Sequence, residues 1–295
     1  KNKINAQGKI ISIVVDSLEK NRIWPMDYFS ELVRFLSNSR QSILIISKPT
    51  LVGALSLAPI EAALIDQSIP YRRRFTDKNP DTIPSLQIIE DSENIVLEQD
   101  TGVFFLYPRI VEGLRGSRGD SRKGPLSAVV QAHAIAQNIS PTSTRIRKMR
   151  PWSLSGNWIS SSLDTTYDPV FTSIRDFLTE EGSIRIVPVT EVDSPEPRNY
   201  PWIEFNHICE AKENWNSLSI EKKERFMDSL VFPGLNYRST STPRMEELLW
   251  HCILGIDWQT DLYSQITKAL DLWVSNPPKV AASIVADSLI SEGSI

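Results

Sequence analysis

Short apolar runs alternate with segments of helical period along the first half of the chain. Residues 10–15 and 43–47 are almost continuously apolar and rich in β-branched side chains, which predicts buried strands. Between them, within residues 27–36, apolar side chains recur at positions 29, 32, 33 and 36, the spacing of one helical face. This alternation is typical of an α/β protein in which helices cover a mostly parallel sheet.

The same patterns continue to residue 192. They predict strands at 69–75, 86–89, 94–97, 103–107 and 184–189, and helices at 57–65 and 125–137. Pro59 is compatible with the first of these helices only within its first turn, where the missing N–H costs little. Residues 112–123 are rich in Gly, Ser and Arg, which indicates an exposed loop.

A Pro-rich run at residues 193–201 predicts a linker between two unequal regions, because proline locks an extended path and cannot donate to a sheet. Residues 1–192 form the predicted α/β domain. Residues 202–295 form a smaller region in which helical patterns prevail.

Helix signals mark that second region. Thr242 and Pro243 are suited to the N-cap and first position of a helix that continues through Trp250 and ends at Gly255. An amphipathic helix is predicted at 262–273 and a last helix at 280–290, separated by the break Asn276-Pro277-Pro278.

The composition suits folded domains: of 295 residues, 41% are hydrophobic and 23% are charged. The longest apolar runs fall far short of the roughly 18 residues that a membrane-spanning helix needs, and the first residues lack the apolar core of a secretion signal. The two cysteines, Cys209 and Cys252, have no metal-binding or redox spacing. We therefore expect a cytoplasmic protein with no membrane partner and no cofactor. The two thiols are expected to be buried, and a structural disulfide between them is the alternative.

The net charge of −4 conceals a strongly basic segment. Between Arg109 and Arg150 there are nine basic and two acidic residues, a local charge of +7, so the rest of the chain carries −11. Basic side chains neutralise phosphates, and a neighbouring aromatic such as Trp152 can stack on an unpaired base. A nucleic-acid-binding surface is predicted, with ordinary surface charge or a protein-binding patch as alternatives. Its candidate residues are Arg115, Arg118, Arg122, Lys123, Arg145, Arg147, Lys148 and Arg150.

A second basic cluster, Arg72, Arg73 and Arg74, ends the strand predicted at 69–75. Strand alternation places Arg73 on the face opposite its two neighbours. We expect solvated charges at the edge of a sheet, where they discourage pairing with other chains.

Residues suited to catalysis are sparse. The three histidines, His133, His207 and His251, are far apart, and none has the sequence context of a Ser-His-Asp site. No phosphate-binding glycine loop is present, because the nearest approach, 119–124, is followed by a proline without an N–H. Candidate acids for an enzyme are Asp16, Glu90, Asp91, Asp164 and Asp168, although such residues serve more often as helix caps or loop carboxylates.

The most informative segment runs from the strand at 43–47 into a loop, Gly53 and a series of small residues. It resembles the first motif of the DHH phosphoesterase family, which includes RecJ-like nucleases. In that family the strand ends in a His, two Asp separated by one residue follow, and the metal ions that they help to hold activate water. The matching positions here are Lys48 for the His, and Thr50 and Val52 for the two Asp, whereas Gly53 is kept.

Other marks of that family are absent. No two histidines are adjacent, so the Asp-His-His motif is missing, and the chain has no Gly-Gly pair. The resemblance, carried by residues 42–75, therefore implies a DHH-like fold without metal ligands. It is similar to the catalytically inactive, GINS-associated replisome subunits of archaea and eukaryotes.

The resemblance implies a non-catalytic scaffold of the DNA replication machinery. Its partners would be GINS-like and MCM-like subunits, and some inactive relatives also contact single-stranded DNA. The alternatives are a divergent metal-dependent phosphoesterase or nuclease, an unrelated α/β enzyme, and a nucleic-acid-binding module without replisome partners.

Overall fold

The computed structural model describes residues 26–78, 84–90, 102–115, 121–160, 162–165, 167–237 and 240–295. The strands predicted at 10–15 and 94–97 lie outside these residues. The strands are β1 (Ile43–Ser47), β2 (Tyr71–Phe75), β3 (Ser85–Ile88), β4 (Val103–Leu106), β5 (Arg109–Arg115), β6 (Ser121–Leu126), β7 (Ile184–Val187) and β8 (Cys252–Gly255).

The helices extend over both predicted regions. They are α1 (Met26–Asn38), α2 (Leu51–Asp66), α3 (Ala128–Ile139), α4 (Thr144–Met149), α5 (Ser155–Ile159), α6 (Ser162–Thr165), α7 (Pro169–Glu180), α8 (Phe205–Asn214), α9 (Ile220–Leu235), α10 (Thr242–Leu249), α11 (Leu262–Ser275) and α12 (Pro278–Ser291). Among the helices of the described ranges, none is both long and apolar enough to cross a membrane.

Within the described residues, the main sheet has four parallel strands in the order β2-β1-β3-β4. Its inner strand β1 is buried along its whole length, as its continuously apolar sequence requires. Strand β2 lies at one edge and pairs with β1 from Ile43↔Tyr71 to Ser47↔Phe75. The predicted α/β class, with a parallel sheet and a largely helical remainder, is confirmed.

The centre of the core is α2. It is apolar on all sides and almost fully buried, because α3 and α12 pack along it in addition to the sheet. It begins at Leu51 rather than at residue 57, so Pro59 lies in its interior and the expected first-turn position is wrong. The helix begins earlier because Thr50 caps it, and burial of the whole helix outweighs the backbone hydrogen bond that Pro59 cannot make.

The loop expected at 112–123 is largely a hairpin. Strands β5 and β6 pair antiparallel, with Arg109 opposite Leu126 and Arg115 opposite Ser121. Gly113 allows the hairpin to lie close to the start of α7, because a Cβ at this position would lie 2.5 Å from the backbone of Pro169. The composition was therefore a poor guide to loop structure.

The helix expected to continue through Trp250 to Gly255 ends at Leu249. Residues 252–255 form β8, which pairs antiparallel with β7 and is fully buried. The cap is Ser241 rather than Thr242, since the Ser241 hydroxyl accepts the backbone N–H of Arg244 at 3.3 Å. The helices predicted at 262–273 and 280–290 are present as α11 and α12.

The two predicted regions share this small sheet. Strand β7 precedes the Pro-rich run 193–201, and β8 follows it. The boundary itself remains a prediction. Of the two thiols expected to be buried, Cys252 is buried but Cys209 is exposed, and neither is in a disulfide.

Arg73 ties three elements together. Its guanidinium on β2 lies 3.4 Å from Glu61 Oε2 on α2 and 2.8 Å from Asp287 Oδ1 on α12. Arg72 and Arg74 are exposed, so the predicted alternation is confirmed. Arg73 itself is not a solvated edge charge but an ion-pair partner that fastens α12 to the α/β core.

Two buried titratable groups have pKa values far from their ordinary range. Burial raises the pKa of Glu61 from 4.5 to about 7 and outweighs the opposing attraction of Arg73. Burial lowers the pKa of His133 on α3 from 6.5 to about 3, and the nearby guanidinium of Arg150 lowers it further. Glu61 thus favours its neutral acid, and His133 its neutral base.

We expect these groups to act oppositely on the pH dependence of stability. Glu61 holds its proton more tightly when folded, so its contribution is full below pH 4.5 and is lost as the pH rises through about 7. His133 holds its proton less tightly when folded, so its contribution is full above pH 6.5 and is lost as the pH falls towards 3. Between pH 4.5 and 6.5 the two effects offset each other.

Single variants should reveal each effect. Relative to the wild type, the free energy of unfolding of Glu61→Gln should rise with pH between 4.5 and 6.5, and that of His133→Asn should fall. Each slope should approach about 1.4 kcal/mol per pH unit. Urea denaturation at several pH values measures both. Curves parallel to that of the wild type would contradict the assignment.

Candidate functional site

The loop between β1 and α2 is a helix start held by Thr50. The Thr50 hydroxyl oxygen accepts a hydrogen bond from the backbone N–H of Gly53 at 3.0 Å, and the Thr50 backbone is extended. This N-cap arrangement satisfies one of the free donors in the first turn of a helix. A position that matches a metal-binding Asp of the DHH family therefore holds a capping residue here.

Gly53 is required by the close approach of α2 to the end of β1. A Cβ at this position would lie 2.3 Å from the carbonyl oxygen of Lys48 and 2.8 Å from Ser47 Oγ. Only glycine avoids both contacts without moving the backbone. The prediction that the turn and the close helix packing are kept is confirmed.

The other two matching positions offer no metal ligand. The Lys48 side chain is exposed and carries a cationic ammonium group, and Val52 is half-buried against the core. Oxygen, nitrogen or sulfur donors without positive charge are needed to hold divalent ions. In the described ranges, no three residues among His, Cys, Asp and Glu come together as a metal site would require.

One carboxylate does reach the loop. The Thr50 hydroxyl donates a hydrogen bond to Glu90 Oε1, just beyond the end of β3. These residues meet because β1 and β3 are parallel neighbours, with Ile46 opposite Gln87, so both chains leave the sheet at the same edge. Glu90 was one of the candidate acids, and here it supports the capping threonine.

A tryptophan from the C-terminal region covers the loop. The Trp273 indole N–H on α11 donates a hydrogen bond to the carbonyl oxygen of Pro49 at 2.8 Å, and its ring is half-buried against the core. The indole satisfies a loop carbonyl that the helix does not use. Sequence periodicity marked Trp273 as an apolar helix position but gave no sign of this contact.

The remaining candidate acids have structural contacts or lie elsewhere. Asp164 forms an ion pair with Arg244 at 2.7 Å. Asp168 is buried and caps α7, accepting the backbone N–H groups of Val170 and Phe171 as well as the side-chain amide of Asn157. Asp16 and Asp91 lie outside the described residues.

The three histidines lie in separate places. His133 is buried, and neither ring nitrogen has a hydrogen-bond partner among the described residues. His207 is exposed, 3.9 Å from Glu204. His251 lies 3.4 Å from both Glu247 and Arg175.

The described candidate nucleic-acid-binding residues fall on the β5–β6 hairpin, on α4 and, for Arg150, directly after α4. Arg122 and Lys123 are exposed on β6. Arg115 is the last residue of β5, and Arg118 lies outside the described residues. On α4, Arg147 and Lys148 are exposed in the last turn.

Arg145 and Arg150 contact acidic residues of the fold. Arg145 on α4 lies 2.8 Å from Asp66 Oδ1. Arg150 is buried, 2.7 Å from Glu181 Oε1, and also donates to the side chain of Gln137. Its guanidinium holds the interior together, so we leave Arg150 out of the proposed binding surface.

The expected aromatic neighbour is not a stacking platform. Trp152 is fully buried, and its indole N–H donates to the carbonyl oxygen of Gly293 at 3.0 Å. Its ring packs edge-on against Trp258 at 5.7 Å between centroids. The interpretation of Trp152 as a base-stacking residue is therefore corrected, because the ring is enclosed on all sides.

The two basic elements stand at opposite ends of one helix. α3 begins just after β6 and ends shortly before α4. Its 12 residues make it roughly 18 Å long at 1.5 Å per residue. The basic segment therefore provides two positive surfaces along α3 rather than one compact patch.

The parallel sheet, the capped loop after β1 and the buried α2 define an α/β protein whose parallel sheet is covered by helices. The crystal structure of CDC45 from Entamoeba histolytica is similar, with a TM-score of 0.50 and 13% sequence identity over 90% of this chain and 68% of that chain. At this identity the likeness shows the fold. No family model and no curated protein matches the chain.

We expect Gly53→Ala to destabilise the chain by about 3 kcal/mol, because overpacking at a backbone contact forces the helix away from the strand. Adding Ser47→Ala should recover little, since the Lys48 carbonyl remains 2.3 Å from the new methyl group. Urea denaturation measures both changes. An unchanged midpoint for Gly53→Ala would contradict the close approach.

Proposed function

We propose that this chain is a non-catalytic, DHH-like scaffold of the DNA replication machinery that binds GINS-like and MCM-like helicase subunits. The observation that carries the proposal is the loop after β1. It keeps the glycine turn of the DHH motif, but Lys48, Thr50 and Val52 occupy the ligand positions, and Thr50 serves as a helix cap.

The structural likeness supports the same role. CDC45 is a DHH/RecJ-like replisome protein, and its fold extends over nearly all of this chain. The hydrogen bond from Trp273 to Pro49 also favours a structural use of this region, because it ties α11 to the loop of the motif. This proposal includes two expectations from the sequence. They are a cytoplasmic location and a linker at residues 193–201.

Co-purification tests the partners. Tagged chain isolated from its native cell should retain GINS-like and MCM-like subunits, as identified by mass spectrometry, and purified subunits should bind it directly. Trp273→Phe, which removes the hydrogen bond to Pro49 but keeps an aromatic ring, serves as a folding control with partners retained. Recovery of neither class of subunit from either experiment would refute the scaffold role.

The same pure chain should lack manganese-dependent phosphodiesterase activity on single-stranded DNA, because the matching positions lack the required carboxylates. Thr50→Ala and Glu90→Gln, assayed beside the wild type, test the loop directly. Metal-stimulated hydrolysis that either substitution abolishes would establish the alternative, a divergent phosphoesterase or nuclease.

We also propose that the scaffold contacts single-stranded DNA. The supporting observation is the exposure of Arg122 and Lys123 on β6 and of Arg147 and Lys148 on α4. Arg115, Arg118 and Arg145 stay in the proposed surface. Two positive surfaces along α3 suit a flexible strand that follows the protein, because its phosphates are neutralised one after another.

Arg147→Ala with Lys148→Ala should weaken binding of a fluorescent oligo(dT), measured by anisotropy. The salt dependence of the logarithm of affinity should become shallower by about 1.4, or 0.7 for each lost phosphate contact. Lys268→Ala with Lys279→Ala, on exposed positions of α11 and α12, removes the same charge elsewhere and should leave the slope unchanged. Equal effects in both pairs would contradict a local DNA surface.

A further inference from the structure

A groove between α9 and α10 lies apart from the loop and from the basic surfaces. It encloses about 380 Å³ and is lined by Val231, Thr242, Met245, Glu246, Trp250 and His251. Most of the lining surface is apolar, and Thr242, Glu246 and His251 add polar groups. Grooves of this kind between helices accept the apolar face of another helix.

The groove is fixed by close packing of its walls. A Cβ on Gly234 would lie 2.6 Å from Met245 Sδ, so α9 lies directly against α10. The Trp202 indole lies on the same side of α9, 2.9 Å from that Cβ position, and its N–H donates to the carbonyl oxygen of Leu230 at 3.1 Å. The groove is therefore preformed, and binding there avoids the cost of ordering its walls.

Large apolar side chains extend the groove along α9. Phe232 is 71% exposed and Leu235 is 56% exposed. Leu235 lies one turn beyond Val231, on the same side of the helix. Single exposed apolar residues are ordinary, but two of them one turn apart on a helix that also lines an apolar groove indicate an interaction site.

The same side of α9 is acidic towards its N-terminus. Glu221, Glu224 and Asp228 precede Val231 and Leu235 at alternating spacings of three and four residues, so the five side chains form one stripe. All three carboxylates are exposed, and within the described residues none of them forms an ion pair. Among the helix's cations, Lys222 and Lys223 lie off this stripe, with Lys223 over Trp215 at 4.9 Å, whereas Arg225 lies beside it, four residues after Glu221 and three before Asp228.

Across the groove, Glu246 contributes a further carboxylate at the rim. It accepts a hydrogen bond from the Tyr167 hydroxyl, which is itself on an exposed residue. From Glu221 to Leu235 the stripe is roughly 21 Å long at 1.5 Å per residue, the length of about four helical turns. The stripe thus has an acidic part, from Glu221 to Asp228, and a shorter apolar part, from Val231 to Leu235.

We propose that this stripe and groove bind an amphipathic helix of a partner protein, with its apolar face in the groove and Lys or Arg residues against Glu221, Glu224 and Asp228. Charge complementarity selects a basic partner, since unpaired carboxylates repel acidic helices and attract basic ones. The inference deepens the proposed scaffold function, on which it rests, by naming one surface and the chemistry of what docks there.

The test uses the full chain and a synthetic probe. An 18-residue fluorescent peptide would carry Leu at helical i, i+3, i+4 and i+7 positions and Lys at one end, and anisotropy would measure its affinity. Glu224→Lys with Asp228→Lys should weaken binding about tenfold or more, and so should Phe232→Ser with Leu235→Ser. A peptide with Glu in place of Lys should bind at least about tenfold more weakly to the wild type.

A matched pair separates local from general attraction. Glu210→Lys with Glu213→Lys changes two exposed carboxylates of α8 by the same total charge. This pair should keep the affinity within about twofold. Circular dichroism melting of every variant confirms folding before the comparison. Absence of saturable binding, or equal losses in the α8 and α9 pairs, would overturn the proposal.

Two more readouts make the outcomes distinct. Light scattering should give the same mass for the wild type and for Phe232→Ser with Leu235→Ser, whereas a wild-type dimer that this change dissolves would assign the groove to a second copy and overturn the proposal. Loss of peptide binding with GINS-like or MCM-like partners retained would refute the groove alone. Peptide binding at the stripe without those partners would refute the replication role alone.

Discussion

The contact between the start of α2 and the end of β1 is the constraint from which the rest of the fold follows. At Gly53 the helix comes so close to the Lys48 carbonyl that no side chain fits. This contact directs α2 back across the sheet, where it is surrounded by α3 and α12. Because α2 is apolar on every side, moving it would expose the largest single contribution to the core.

The loop after β1 is stabilised by contacts within the protein. Its polar backbone groups have protein partners, since Thr50 caps the helix and Trp273 donates to the Pro49 carbonyl. Glu90 is hydrogen-bonded to Thr50 and is not left as an isolated buried charge. A threonine, a glutamate and an indole thus hold the loop in place.

The sequence predicted those features that depend on local pattern. Strand β1 is continuously apolar, Arg73 alternates with its neighbours, and the motif around Gly53 combines strand, turn and helix within one short segment. Features that depend on distant partners were missed. Residues 252–255 are a strand only because β7 is available to pair with them, and Gly113 faces Pro169 rather than forming a loop.

The features of the candidate site also divide into those that a local sequence pattern predicts and those that depend on distant residues. The degenerate ligand positions were found from the motif, whereas the cover by Trp273 joins residues far apart in sequence and left no local signal. Arg150 and Arg147 are indistinguishable by residue type, yet one is buried beside Glu181 and the other is exposed. The groove beside α9 forms only where α9 and α10 pack together, so the sequence of neither helix predicts it.

The pairing of β7 with β8 brings the two ends of the chain between them close together. Because Val187 lies opposite Cys252, residues 188–251 leave the small sheet and return to it at adjacent points. The cost of closing such an excursion grows only slowly with its length. The helices α8 to α10 therefore form an insert with neighbouring ends, whose length and surface can diverge while both strands, and the α/β core beneath them, keep their positions.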